Sequence, residues 1–235
     1  MKYKPKFSII TAVYNHRPYL ERLVQSLKSQ TLQNFEWHIC DDRSNDGSYE
    51  YLSETVKERD SWYIHRLNPF KWRARLAANW NKGVKHAVGD YCVFITGESF
   101  PELNFLEQID SIAHPDKIIC GVRIQVKDNE VVDIDWRLKK EVIPKATVLL
   151  PRNPYNLITG NGLVIPTEAM RKYGGWNEKF SQGGEDNEIV ARLYYKGYLV
   201  YSVPQAIIYH NYHKSTDISE RDEKIAKRCI LKYAR

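Results

Sequence analysis

Phe7-Ser8-Ile9-Ile10-Thr11-Ala12-Val13-Tyr14 is a run of apolar and β-branched residues with the length of a β-strand. Asn15 follows it as a candidate N-cap for a helix. One apolar face of that helix is marked by residues at helical spacing, namely Leu20, Leu23, Val24 and Leu27. This part of the chain therefore predicts a strand followed by a helix that packs back onto it.

The same alternation continues downstream. Strands are predicted at 37–40, 62–67 and 91–95, and each is followed by turn residues or by helical periodicity. Strands that alternate with helices at this spacing favour βαβ units. The first half of the chain therefore predicts an α/β fold with a parallel sheet.

The second half of the chain is less regular. We expect a helix from Pro101, a strand at 118–126, and short strands at 163–166, 199–203 and 207–210. Another helix is predicted over 185–197. Residues 128–156 show no clear period, and we expect a loop or short strands there, over the functional site.

The composition is that of one globular domain. The chain has 235 residues, of which 43% are hydrophobic and 27% are charged. No run of 18 apolar residues and no secretory leader is present, so we expect a cytoplasmic protein with no transmembrane segment, at most peripheral at a membrane. Three of the four cysteines lie inside apolar runs, which favours buried free thiols over disulfides or a zinc site.

Polar residues close three of the predicted strands. These residues are Thr11 and Tyr14, then Asp41 and Asp42, then Thr96, Gly97 and Glu98. In an open parallel sheet, ligands bind outside the carboxyl ends of the strands. One of the two aspartates could accept hydrogen bonds from a nucleobase or a ribose, and we expect the other to cap the turn.

Two further residues near these strand ends have a functional and a structural interpretation. Glu98 could be an oxygen ligand for Mg²⁺ or Mn²⁺ that bridges phosphates, or it could be a solvent-facing charge in a turn. Arg75, in a predicted helix, could contact a nucleotide, although a solvated side chain is the commoner role for such an arginine.

A glycine-rich stretch leads into two adjacent carboxylates. Gly174-Gly175-Trp176 and Gly183-Gly184 precede Glu185 and Asp186, which we place in the first turn of a helix. Asp186 is the candidate general base, because a carboxylate within reach of an acceptor hydroxyl can take its proton. The alternative is that the pair only stabilises the start of the helix.

Two histidines follow the last apolar strand. His210 and His213 lie in a basic and aromatic segment, where one of them could complete a metal site or contact a diphosphate. A histidine at a strand end can also be purely structural.

Taken in order, these motifs resemble family 2 glycosyltransferases. The N-terminal motifs are Phe7–Asn15, Asp41-Asp42-x-Ser44-x-Asp46-Gly47-Ser48, Arg75-x-x-x-Asn79-x-x-x-Gly83 and Ala87-x-Gly89-Asp90-Tyr91. Gly174-Gly175-Trp176-x-Glu178-x-Phe180 and Glu185-Asp186 are similar to the acceptor-side signature of that family. The resemblance implies the GT-A fold, an αβα sandwich whose central sheet is mostly parallel and has helices on both faces.

The resemblance also implies roles for individual residues. The nucleotide-sugar donor, most often a UDP-sugar, would be held by Thr11, Tyr14, Asp41 or Asp42, Arg75, Thr96 and Gly97. The catalytic residues would be Asp186, as the base of an inverting transfer, and Glu185 beside it. Glu98 with His210 would bind a divalent cation, Mn²⁺ or Mg²⁺.

The sequence departs from the family pattern at one place. The family usually carries Asp-x-Asp where this chain has Thr96-Gly97-Glu98, so the metal could also bind weakly or be replaced by basic side chains. We expect a single domain over 1–235, with a nucleotide-binding half at about 6–100, an acceptor half at about 101–213 and a charged tail at 214–235.

Two alternatives concern the partner. The net charge of +6 would suit transfer to hydroxylated bases of nucleic acid, although a glycan, lipid-linked or protein acceptor is commoner. A domain that binds a nucleotide-sugar or a glycan without catalysis is the other alternative. Six basic residues could touch phosphates or could simply be solvated: Lys71, Arg73, Lys139, Lys140, Lys145 and Arg152.

Overall fold

A computed structural model describes residues 4–68, 76–134, 147–150, 154–180, 183–212 and 219–233. Its first elements are β1 (Phe7–Val13), α1 (Arg17–Lys28), β2 (Phe35–Asp41), α2 (Ser48–Thr55), β3 (Trp62–Arg66), α3 (Leu76–His86), β4 (Tyr91–Thr96), β5 (Ser99–Pro101) and α4 (Phe105–Asp110). They are followed by β6 (Lys117–Lys127), β7 (Glu130–Ile134), β8 (Val148–Leu149), β9 (Leu163–Pro166), α5 (Thr167–Lys172), α6 (Glu185–Tyr194), β10 (Leu199–Asn211) and α7 (Glu220–Tyr233).

The strands form one mixed sheet with the order β3-β2-β1-β4-β9-β6-β10-β5, to which β7 adds beside β6 and β8 beside β10. The longer pairings, between β1, β2, β3 and β4 and between β6 and β10, are parallel, whereas the shorter ones are antiparallel. Val13 lies opposite Asp41, and Ala12 lies opposite Thr96. This register brings the carboxyl ends of β1, β2 and β4 to the same edge, as predicted.

Helices cover both faces of the sheet because side chains of each strand alternate in direction. Phe7, Ile9 and Val13 of β1 pack with α1 and α4, whereas Ile10 and Ala12 pack with α3 and α6. Each layer is a buried apolar cluster. The predicted αβα sandwich with a mostly parallel central sheet is thereby confirmed.

Three local predictions were wrong. His16, not Asn15, is the N-cap of α1, because Asn15 adopts φ 55° and its side chain binds the backbone N–H of Asn45. Pro101 ends β5, opposite Ile208 of β10, instead of starting a helix. The two strands predicted near the C-terminus are one strand, β10, whose register shifts between Ser202 and Ile207.

The charged tail contains a regular helix, α7, that packs on α6. Ala226 lies close to Gly184, the N-cap of α6, and the hydroxyl of Tyr233 donates a hydrogen bond to Glu188. The tail therefore contacts the helix that begins with Glu185 and Asp186.

All four cysteines are free thiols, as predicted. Cys40, Cys92 and Cys120 are buried, and Cys229 of α7 is half-buried. Burial raises the pKa of Cys40 and of Cys92 to about 12. Within the described ranges, none of the helices combines the length and apolarity needed to cross a bilayer.

Three histidines stack between β2, β3 and α3. The ring centroids of His65 and His86 are 4.3 Å apart, and His38 Nδ1 lies 3.0 Å from His65 Nε2. Burial, followed by the positive charges that His38, His86 and Lys82 carry when protonated, lowers the pKa of His65 to about 4. The folded protein therefore keeps His65 neutral in mild acid.

Mild acid is expected to destabilise the protein through His65. The unfolded chain protonates this residue near its ordinary value of 6.5, whereas the folded chain resists until about pH 4. Between these values the unfolded state binds more protons, so the free energy of unfolding falls as the pH falls. In urea unfolding at about pH 7 and pH 5, His65→Gln should lose less stability than the wild type. His114→Gln, at an exposed histidine, is the control, and equal losses in all three proteins would contradict this prediction.

Candidate active site

The loops that follow β1 and β2 are joined by hydrogen bonds at the carboxyl edge of the sheet. The backbone N–H groups of Asn15 and His16 donate to the hydroxyls of Ser44 and Ser48, each at 3.0 Å. The backbone N–H of Arg17 donates to the Asp46 carboxylate at 2.9 Å. These contacts hold the two loops together as one rim.

The surroundings of Asp46 favour its ionised form. Partial desolvation opposes its ionisation, but hydrogen bonds from Ser48 and from the backbone N–H of Arg17 outweigh that cost and lower its pKa. The rim is therefore stabilised by a carboxylate that remains charged at neutral pH.

The two aspartates at the end of β2 differ in environment. Asp41 is fully buried, and its carboxylate accepts hydrogen bonds from the backbone N–H groups of Arg43 at 2.9 Å and Ser44 at 3.2 Å. Asp42 is half-buried at the rim, and its backbone N–H donates to the carbonyl of Val13 at 2.8 Å. Asp41 thus has the features of the turn-capping residue, whereas Asp42 is the more exposed of the two.

Thr11 and Tyr14 also differ in their exposure to solvent. Thr11 is completely buried, and its hydroxyl accepts a hydrogen bond from the indole Nε1 of Trp37 at 2.8 Å. Its position therefore does not support the predicted contact with a nucleotide. Tyr14 lies just beyond the end of β1 with 56% of its surface exposed, so its ring is available at the rim.

The segment Thr96-Gly97-Glu98 is linked to the second half of the chain through Asn161. The backbone N–H of Thr96 donates to the Asn161 side-chain oxygen at 3.2 Å, and Asn161 Nδ2 donates to the Ser99 hydroxyl at 2.6 Å. The Thr96 and Ser99 hydroxyls are 3.0 Å apart. The side chain of Asn161 thereby holds the end of β4 against the loop before β9.

Glu98 lies between two imidazoles. Its Oε1 is 3.2 Å from His210 Nε2, and its Oε2 is 2.9 Å from His16 Nε2. Glu98 and His210 are buried, with 8% and 6% of their surfaces exposed. The antiparallel pairing of β5 with β10, in which His210 lies opposite Ser99, brings this glutamate and histidine together as predicted.

Asp186 occupies the first turn of α6. Its carboxylate accepts hydrogen bonds from the backbone N–H of Gly160 at 3.2 Å and of Asn187 at 2.8 Å. Gly160 directly precedes Asn161, so Asp186 is connected to Thr96 through two neighbouring residues of one loop. The neighbouring Glu185 is 9% exposed.

A buried ion pair within α6 supports the turn that contains Gly174 and Gly175. Arg192 contacts the Glu188 carboxylate at 3.1 Å and donates to the backbone carbonyls of Tyr173 and Gly175. Asn81 of α3 binds both the backbone N–H and the backbone carbonyl of Trp176, at 2.8 and 2.9 Å. The sequence analysis missed these supporting contacts.

His16 and Asn161 were also missed. His16 directly follows the predicted strand end at Tyr14-Asn15, and that position was a usable signal. Asn161 lies beside glycines in Gly160-Asn161-Gly162, which suggests a tight loop but no role. The predicted contacts of Arg75, of His213 and of the six basic residues concern positions outside the described ranges.

The chain matches known families over most of its length. Residues 8–173 match the family model described as glycosyl transferase family 2, and residues 143–214 match the one described as the N-terminal domain of galactosyltransferase. EpsE of Bacillus subtilis is 27% identical over 209 residues, which is 81% of this chain and 72% of EpsE. The chondroitin synthase of Escherichia coli is 24% identical over 239 residues, which is 86% of this chain and 34% of that enzyme.

Solved structures confirm the fold. Staphylococcus aureus TarS, residues 1–349, in complex with UDP-GlcNAc superposes with a TM-score of 0.77 at 18% identity, over 97% of this chain and 66% of that one. The same fragment in complex with UDP gives a TM-score of 0.75. The chain spans about a third of the length of some curated relatives, such as 36% of EpsH of Bacillus subtilis. With a family model matched over more than half of its residues and a GT-A-like fold, the chain belongs to glycosyl transferase family 2.

Proposed function

We propose that the protein is an inverting glycosyltransferase that moves a sugar from a UDP-sugar to an acceptor hydroxyl, with Asp186 as the general base. The observation that carries the proposal is the single edge at which Asp186, through Gly160 and Asn161, meets Thr96-Gly97-Glu98. Family membership supports the transferase activity. The UDP and UDP-GlcNAc complexes of TarS, which has the same fold, support the choice of donor.

The rim beside β1 and β2 suits the nucleoside. The exposed ring of Tyr14 offers an aromatic surface on which a nucleobase can stack. Such stacking needs no particular hydrogen bonds to the base, because every base has a π-face. Asp42 offers a carboxylate that can accept hydrogen bonds from a base imide or a ribose hydroxyl. The donor would therefore lie with its base over the joined loops and its diphosphate toward Glu98.

Asp186 suits the role of base because its carboxylate is held in a fixed orientation. Two backbone N–H groups orient the carboxylate at the amino end of α6. It would accept the proton of the acceptor hydroxyl while the oxygen attacks the anomeric carbon from the face opposite the diphosphate. Holding both substrates at one edge supplies much of the rate gain.

Glu98 and His210 fit a divalent cation. A carboxylate oxygen and an imidazole nitrogen are ligands that Mn²⁺ accepts, and their separation of 3.2 Å is close to the roughly 3 Å between adjacent ligands of an octahedral ion. The described residues hold no cluster of three or more histidine, cysteine or acidic side chains suited to a metal, so the protein would supply few ligands. A bound cation would neutralise charge on the leaving diphosphate.

A glycan, lipid-linked or protein hydroxyl is the acceptor class that we favour. The relative from Escherichia coli is a chondroitin synthase by name, and a polysaccharide is the acceptor class that such a name suggests. The alternative acceptor, nucleic acid, depends on basic residues that lie outside the described ranges.

Calorimetric titration with UDP, GDP and dTDP tests the donor site. We expect UDP to bind in Mn²⁺ and to bind at least about tenfold more weakly in EDTA, because the cation offsets repulsion between the diphosphate and Glu98. GDP and dTDP should bind more weakly than UDP. Incubation with UDP-GlcNAc then asks whether UDP is released. Binding without any release would favour the non-catalytic module, and no binding of any nucleotide would overturn the proposal.

A further inference from the structure

His16 contacts Glu98, and none of the sequence motifs predicts this contact. His16 is the N-cap of α1, and its backbone N–H donates to the hydroxyl of Ser48. Its Nε2 lies 2.9 Å from Oε2 of Glu98. Its Nδ1 is buried and has no hydrogen-bond partner among the described residues. The contact with Glu98 is a close approach of Nε2 to Oε2, and the Nε2–H tautomer is the neutral form that can face a carboxylate there.

The position of the His16 ring depends on Gly97. A Cβ added to Gly97 would lie 2.4 Å from His16 Nδ1 and 3.0 Å from Cγ, which is far inside van der Waals contact. Gly97 is not among the glycines with positive φ, so close approach of the ring is what requires a glycine here. His16 and Gly97 therefore form a matched pair, in which the missing side chain makes room for the imidazole.

The two oxygens of Glu98 have different neighbours. Oε2 faces His16, whereas Oε1 faces His210, whose own Nδ1 lies 3.1 Å from the side-chain oxygen of Gln125. Thr96, which replaces the first acid of the family motif, has its hydroxyl 3.0 Å from that of Ser99. Among these side chains, His16 is the one in contact with Oε2, the carboxylate oxygen that does not face His210.

We propose that His16 is a positioning residue that fixes the Glu98 carboxylate so that Oε1 and His210 Nε2 can bind one divalent cation. The inference rests on the proposed function, because it assumes the Glu98–His210 metal site. Groups that hold a metal ligand by hydrogen bonds set its orientation, and their loss typically weakens metal affinity by about 10- to 100-fold. Loss of His16 should therefore reduce metal affinity without touching the nucleoside site.

Mn²⁺ affinity in the presence of UDP, measured on the full chain by electron paramagnetic resonance, tests this role. His16→Ala should weaken Mn²⁺ binding by about 10- to 100-fold. His16→Gln, whose amide can donate a hydrogen bond to Glu98, should recover part of the loss. Gly97→Ala should weaken binding as well, because the added methyl displaces the ring. His114→Ala, at an exposed histidine, should bind as the wild type does.

The readouts separate this inference from the proposed function. UDP affinity in EDTA and the melting temperature should be unchanged in His16→Gln, which excludes a general loss of folding. If Glu98→Ala and His210→Ala abolish Mn²⁺ binding but His16→Ala does not weaken it, the inference is overturned and the metal site stands. If Mn²⁺ does not bind the wild type, or binds Glu98→Ala and His210→Ala equally well, the metal site and the inference fail together.

Discussion

Asp186→Asn is expected to lower the rate of sugar transfer by at least about a hundredfold while UDP binding stays intact. General-base catalysis contributes about 10²- to 10⁴-fold, and an amide cannot take the proton. The amide oxygen can still accept the hydrogen bond from Asn187, so the first turn of α6 should survive. Initial rates with a UDP-sugar and calorimetry with UDP measure the two effects separately.

Glu185→Gln is the matched control for that experiment. It removes the same charge one residue away, from a side chain that is 9% exposed, so we expect a much smaller loss of rate. Full activity of Asp186→Asn would remove Asp186 from the role of base. A larger loss in Glu185→Gln than in Asp186→Asn would transfer that role to Glu185.

Arg192→Met is expected to cost about 3–5 kcal/mol of unfolding free energy, because it leaves the Glu188 carboxylate buried without its cation. The Glu188 side chain is only 1% exposed, and Arg192 also binds the backbone carbonyls of Tyr173 and Gly175. Chemical denaturation followed by circular dichroism measures the loss. The rate of sugar transfer should fall too, because Arg192 holds the turn at 173–175 and the chain runs from this turn to Asp186.

Lys227→Met provides the comparison at the same spacing. Lys227 pairs with Glu223 one helical turn away, but both side chains are more than half exposed, so we expect a change below about 1 kcal/mol. The double variant Glu188→Leu with Arg192→Met should recover part of the stability by removing the stranded charge. Equal losses in Arg192→Met and Lys227→Met would show that the buried pair is not special.

The first half of the fold could be predicted because its strands have a clear local sequence pattern. β1 and β4 are continuous apolar runs between turn residues, and the helices between strands show helical periodicity. The second half could not be predicted as well, since its strands depend on distant partners. β5 has three residues and exists because it pairs with β10, so Pro101 resembled a helix start until that partner was known.

Prediction of the site followed the same rule. Glu98, His210, Asp42 and Asp186 could be proposed because each closes a strand or starts a helix, and the fold brings such ends together. The burial of Thr11 against Trp37 could not be predicted, because sequence does not reveal which face of a buried strand a side chain takes. The roles of His16 and Asn161 come from contacts between remote segments, which a local pattern does not encode.

The four thiols differ in accessibility, so the reactivity of one of them can report on the docking of α7. Cys40, Cys92 and Cys120 are shielded in the core, whereas Cys229 is partly accessible on α7. Partial burial, and then the charge of Glu188, raise the pKa of Cys229 and suppress its thiolate while α7 is docked. Because α7 packs on the helix that carries Asp186, the alkylation rate of Cys229 reports how firmly the C-terminal helix is docked against that helix.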